Sequence, residues 1–118
     1  MKYWIFTVSN SIDFDDWLLP NIIHCTGNIN IRPLIAIISS YPAPIEQSNI
    51  RQIPNLAERF NVIAGLTDHT LGTTTAVSAV SQGACLIEKH FTISRKDKGP
   101  DSEFSIEPEE LKKLCKDT

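Results

Sequence analysis

No apolar run in the 118 residues is long enough to span a bilayer, which excludes a membrane-crossing helix. There is no CxxC pair, no internal repeat and no low-complexity tract. The three cysteines, Cys25, Cys85 and Cys115, are odd in number. That excludes a full disulfide framework and disfavours a zinc site, so reduced structural thiols are expected, with Cys85 a buried small hydrophobe. Basic residues are not in excess. The formal net charge is −3, and Lys112, Lys113 and Lys116 are interleaved with Glu109, Glu110 and Asp117. Such a mixture is a solvated helix face and not a nucleic-acid surface. Residues 1–8 are apolar, but Asp13, Asp15 and Asp16 follow before any signal-peptide pattern is complete. The expected location is the cytoplasm. Length imposes a further limit, since a complete (β/α)₈ barrel needs roughly 200 residues or more.

What is present is an ordinary globular composition, 42% hydrophobic and 21% charged. It supplies enough apolar surface for a core. Residues 3–8 read as a strand. Asn10 or Ser11 is placed to cap a short helix ended by Pro20, and residues 21–33 look irregular, with Pro33 blocking regular structure. Beyond that point the pattern is clear. Residues 34–38 form a β-branched run suited to a strand buried on both faces. Ile50, Ile53, Leu56, Ala57 and Phe60 recur at helical spacing, with Pro54 as the first helical residue. Residues 62–66 read as a strand, and 67–72 as a loop. Residues 73–82 form a small-residue helix, its inner face Ala76, Val77, Ala79 and Val80, capped by Gly83. A third strand starts at Ala84 and leads into Glu88, Lys89 and His90. Pro108 opens a last helix carrying Leu111, Leu114 and Cys115. The order β, α, β, α, β, α predicts parallel strands with crossover helices, and chemistry at the strand C-termini.

Those ends carry the reactive side chains. Alternation puts Thr67 with His69 on one face, and Glu88 with His90 on one face. On neighbouring parallel strands both imidazoles emerge at one rim, where they can hold a divalent ion with positions left open. Asp68 and Glu88 are candidates to orient the rings. Spacing alone favours two ordinary hydrogen-bonded histidines, because a 21-residue separation matches no local metal motif. The βαβ placement is what favours a shared site. Thr73, Thr74 and Thr75 are expected to cap a helix. Tyr41 begins a rigid loop and either hydrogen-bonds a ligand or packs on Pro42 or Pro44. Asp101 lies in a Gly-Pro-Asp turn, where an aspartate usually stabilises the turn.

Four ordered phrases carry more information than the spacing. They are Ser-Ser-Tyr-Pro-Ala-Pro-Ile-Glu (39–46), Gly-Leu-Thr-Asp-His-Thr-Leu-Gly (65–72), Ile-Glu-Lys-His-Phe-Thr (87–92) and Gly-Pro-Asp-Ser-Glu-Phe-Ser (99–105). Together they closely resemble the C-terminal half of the catalytic barrel in the sialic acid synthase family. The resemblance implies a partial (β/α)₈ TIM barrel over 34–118, roughly its last three βα units, after a divergent segment over 1–33. It implies a transferase that condenses phosphoenolpyruvate with an N-acylated amino sugar into a nine-carbon 2-keto acid.

By the same resemblance, His69 and His90 bind a divalent metal, manganese or magnesium. Thr67 stands where the family usually has Ser and contacts phosphoenolpyruvate. Ser39 and Tyr41 line the substrate site, and Asp101 lies near the sugar. Glu88 and Asp101 are the candidate catalytic residues. The metal polarises the sugar aldehyde, carbon 3 of phosphoenolpyruvate attacks it, water adds at carbon 2, and phosphate leaves with carbon–oxygen cleavage. The wording over 101–105 looks more like pseudaminic acid synthases, since a His more often follows this aspartate elsewhere in the family. Ala36 and Ile37 replace the family's Lys or His and Cys before the Ser39 motif. The basic residues of its first half-barrel have no counterpart, so the chain by itself is expected to be inactive. The alternative expectation is a non-catalytic half-barrel that pairs with a partner or with itself as a homodimer through open strand edges.

Overall fold

The computed structural model describes residues 4–8, 33–37, 42–99 and 101–118. Ser39, Ser40, Tyr41, Cys25, Pro100 and the helix expected after Ser11 lie outside the described residues. The strands are β1 (Trp4–Val8), β2 (Pro33–Ile37), β3 (Ile63–Asp68) and β4 (Leu86–His90). The helices are α1 (Gln52–Phe60), α2 (Thr74–Ser81) and α3 (Pro108–Asp117). The alternating order expected from residue 34 onward is present.

All strand pairs are parallel, in the order β1-β4-β3-β2. β1, from the N-terminal segment, pairs with β4 and places Val8 opposite His90. The sheet is therefore larger than the expected three strands. Pro33 begins β2 instead of blocking it. A proline is tolerated at the first residue of an edge strand because it need not donate to the ladder.

The helices cover one face of the sheet. Ala64 and Leu66 of β3 and Ile87 of β4 pack with Ile53 of α1, Ala76 and Ala79 of α2 and Leu114 of α3. Ala84 and Ile106 complete that core. Small residues on α2 let it lie close against the strands. Gly83, at φ +94°, ends α2 in a left-handed turn. Its N–H donates to the Val80 carbonyl and the Ala84 N–H to the Ala79 carbonyl, which satisfies two orphan acceptors.

Several boundaries depart from the expected ones. α1 starts at Gln52, so Pro54 sits within its first turn, where the missing N–H has no helical partner to lose. Phe60 faces solvent under the Arg59 guanidinium, 5.6 Å from its ring centre, instead of joining the core. Val77 and Val80 are only partly buried. Cys85 is half-buried and so is not the buried small hydrophobe expected, and Cys115 is exposed. β3 continues through Thr67 and Asp68, which the sequence placed in a loop. That extension moves both side chains from a mobile setting onto opposite faces of a sheet.

Candidate functional site at the strand ends

β3 and β4 pair in register, with Thr67 opposite Glu88 and Asp68 opposite Lys89. Alternation then sorts the four side chains. Thr67 and Glu88 point away from the helices, and Thr67 Oγ1 donates to Glu88 Oε2 at 2.6 Å. Asp68 and Lys89 point toward the helices and form an ion pair at 3.0 Å, both side chains 0% exposed.

His69 follows directly on β3, and His90 ends β4. Their ring centres lie 5.2 Å apart, tilted by 49°. The Phe104 ring meets His90 edge-on at 5.1 Å and His69 at 6.4 Å. Asp101 Oδ2 is 3.8 Å from His90 Nδ1. The Ala43 N–H donates to the His69 carbonyl at 3.0 Å and ties the loop after β2 to this rim.

Burial pushes the His90 imidazole below its ordinary value. Asp101 and Glu88 draw it back up, while His69 and Lys89 push it further down. The outcome is a neutral ring near neutral pH, the form that offers a lone pair. Two imidazoles sharing one ion through bonds of roughly 2 Å have centres about 5 Å apart, so the ring spacing here is compatible with a shared divalent ion. Among the described residues no third His, Cys, Asp or Glu completes a ligand cluster around them. Such a site would leave most coordination positions to water and substrate oxygens.

The segment after β4 builds the outer wall. The Ser105 N–H and Oγ both donate to the Asp101 carbonyl, and the Ile106 N–H donates to the His90 carbonyl at 2.9 Å. The turn is thus held through the backbone of Asp101. Its carboxylate is turned toward His90, in place of the side-chain turn stabilisation that its position in the Gly-Pro-Asp turn suggested.

The NeuB family's sequence profile matches residues 21–118. The chain belongs to the NeuB family. An N,N'-diacetyllegionaminic acid synthase of Campylobacter jejuni is 39% identical over 94 residues, 80% of this chain and 25% of that protein. A pseudaminic acid synthase of the same organism is 43% identical over 76 residues, 64% of this chain and 22% of that protein. Among solved structures, the spore coat polysaccharide biosynthesis protein SpsE of Bacillus subtilis superposes with a TM-score of 0.70 at 37% identity, covering 96% of this chain and 32% of that one. The N-acetylneuraminic acid synthetase of Leptospira borgpetersenii, solved with citrate, gives 0.72 at 30% identity, covering 96% and 39%. The chain spans about a quarter of the length of the curated relatives it matches. The family resemblance carried by the four phrases is therefore upheld, and the α/β fold is that of sialic acid synthase structures.

The structure brings together five of the residues singled out from sequence: Thr67, His69, Glu88, His90 and Asp101. Ser39 and Tyr41 lie outside the described residues. Asp68 does not orient an imidazole. It lies on the opposite face, where Oδ1 accepts from the Thr70 N–H and Oγ1 and Oδ2 accepts from Lys89. Thr73 makes no side-chain cap, and Thr75 Oγ1 instead lies within hydrogen-bond distance of Thr70 Oγ1 at 3.0 Å. Sequence reasoning missed Phe104, although it stands in the Gly-Pro-Asp-Ser-Glu-Phe-Ser phrase. Only the fold reveals that this phrase returns over the histidines.

Proposed function

We propose that this chain carries part of the catalytic rim of an enzyme that condenses phosphoenolpyruvate with an N-acylated amino sugar into a nine-carbon 2-keto acid. Its four parallel strands are, in this reading, one portion of a (β/α)₈ barrel, residues 34–118 forming the synthase part and 1–33 a divergent lead-in. The observation that carries the proposal is the approach of His69 and His90 to 5.2 Å at the C-terminal ends of adjacent parallel strands. Membership of a family whose relatives are named legionaminic and pseudaminic acid synthases supports it.

His69 and His90 would hold manganese or magnesium, and the ion would supply Lewis-acid polarisation of the sugar aldehyde when bound. Thr67 Oγ1 donates its hydrogen bond to Glu88, which leaves its lone pairs free to accept from substrate or an ordered water. Glu88 is thereby held at the rim as the acid–base group nearest that hydroxyl. Asp101, beside His90, is placed to accept from a sugar hydroxyl. Phe104 excludes water from one side of the imidazoles. Ser39 and Tyr41 complete the substrate-binding set by family resemblance. The Asp101–Ser105 wording favours a pseudaminic-type acceptor, and the enzyme acts in the cytoplasm.

The test uses the purified chain, shown to be folded by circular dichroism. Manganese binding is followed by electron paramagnetic resonance, and phosphate release is assayed with phosphoenolpyruvate and a panel of N-acylated amino sugars. His69→Ala and His90→Ala are each expected to weaken manganese binding by about tenfold or more. Unchanged affinity in both variants would remove the ligand assignment. Phosphate release is expected to be absent from this chain by itself, because no Lys or Arg matches the family's phosphate-gripping residues. Turnover of N-acetylmannosamine alone would overturn the choice of acceptor.

A second reading rests on the outer edges of β1 and β2, each paired on one side only among the described residues. Such edges favour association of the chain with itself or with a complementary half-barrel.

A further inference from the structure

On the helix-facing side of the sheet, directly behind the histidines, lies a closed polar network that the proposed chemistry does not use. Lys89 is 1% exposed and Asp68 2%. Lys89 Nζ donates to Asp68 Oδ2 at 3.0 Å and to the Thr70 carbonyl at 2.7 Å. Asp68 Oδ1 accepts from the Thr70 N–H at 2.9 Å and from Thr70 Oγ1 at 2.7 Å. Thr70 Oγ1 also reaches Thr75 Oγ1 in the first turn of α2. The carboxylate therefore accepts three hydrogen bonds, and the ammonium donates two. A buried pair this well satisfied is not primarily a source of stability, since an apolar pair of equal volume would often serve as well. Its attested use is to specify one arrangement against its neighbours.

The arrangement specified here is the approach of the imidazoles. His69 lies between Asp68 and Thr70 in the chain, and His90 follows Lys89. Each histidine is thus adjacent to a member of the network and projects to the opposite face. A slip of one residue between β3 and β4 would put His90 on the helix side and leave a charge unpaired in the core. The Lys89 bond to the Thr70 carbonyl and the Asp68 bonds to Thr70 clamp the two residues flanking His69. That leaves the intervening backbone little freedom to turn the ring away.

We propose that Lys89, with Asp68 and Thr70, is a positioning device that aims His69 at His90 from the far side of the sheet. Its connection to catalysis rests on the metal-site reading above, but the positioning itself does not. The experiment compares the whole chain with Asp68→Asn/Lys89→Met, which removes both charges together and keeps an acceptor for Thr70. A second variant is the near-isosteric Thr70→Val. Circular dichroism and urea midpoints report folding. Nuclear Overhauser contacts between the two imidazole rings, recorded in chelator, report positioning without metal. Manganese titration reports the site.

The expected result is that the folded double variant loses the ring-to-ring contacts and binds manganese tenfold or more weakly. Thr70→Val is expected to weaken the contacts while the fold persists. Should the double variant not fold, Thr70→Val decides alone. Ring contacts that persist at wild-type intensity in the folded variants would overturn the proposal and leave the network a merely structural one. If the wild-type chain binds no manganese but the variants still lose the ring contacts, the positioning role stands and the metal reading fails.

Discussion

Gly65 shows how closely a single position constrains the rim. A Cβ at this residue would come within 2.7 Å of both Leu86 Cβ and the Leu86 carbonyl oxygen. Backbone cannot yield as the end of a flexible side chain can, so β3 and β4 approach this closely only with glycine at Gly65. The Gly65–Leu86 pairing lies on the same face as Thr67 and Glu88, one step further from the rim. Gly65→Ala is therefore expected to cost about 1–3 kcal/mol through overpacking, read as a lowered urea midpoint. A midpoint equal to wild type would show that the strands can part without penalty. At this scale much of the site was legible. The period of two put Thr67 with His69 and Glu88 with His90, and both pairs are found as expected. Asp68 was misplaced because the length of β3 was underestimated. Once the strand runs on, alternation sends Asp68 to the helix side, where Lys89 neutralises it.

At the scale of elements, the ends of helices and the attachments between them decide how the outer wall stands. Pro108 opens α3, and the Glu107 N–H donates to Glu110 Oε2 at 2.8 Å. Arg95, from the loop after β4, donates to Glu110 at 2.6 Å and to the Ser105 carbonyl at 3.0 Å. That guanidinium joins α3 to the segment that carries Phe104 and Asp101. Partial burial pushes the Glu110 carboxyl up, but the bonds from Arg95 and the Glu107 backbone outweigh it and hold the carboxyl below its ordinary value. As pH falls, the unfolded chain takes up this proton before the native one does. The contribution is thus present above the unfolded value of 4.5 and is lost as pH drops through the lower native value. Between roughly pH 6 and pH 3, Arg95→Ala is expected to lose less stability than wild type, measured by urea midpoints. Parallel slopes for the two proteins would show that the pair contributes nothing. The helix start at Pro108 was readable because proline at the first turn has a fixed meaning. The Arg95 attachment was not, because it joins residues 15 apart through a loop without periodicity.

For the whole molecule, the governing fact is the strand order β1-β4-β3-β2, with the first strand in the chain beside the last. Three consecutive βα units put β2, β3 and β4 side by side, as the alternating order implied. The pairing of β1 with β4 is non-local and had no signal in periodicity. Among the described residues β1 and β2 are each paired on one side, and an unpaired strand edge invites association with another chain. Light scattering behind a sizing column is expected to show a mass that rises with concentration. A monomer at every concentration would remove the self-association reading.

The sequence by itself determined the element order, the parallel sheet, the family and the identities of the residues at the strand ends. Each follows from local chemistry: β-branched runs, helical spacing, proline and glycine punctuation, and four ordered phrases. Only the tertiary structure decided which side chains meet. The register between β3 and β4 joins Thr67 to Glu88 and Asp68 to Lys89, and the return of the chain after β4 sets Phe104 against both imidazoles. Those contacts span many residues of intervening chain, and their geometry depends on where each strand stops. Packing of the helices against one face settles that point, because it determines how far each strand can run before its side chains leave the core.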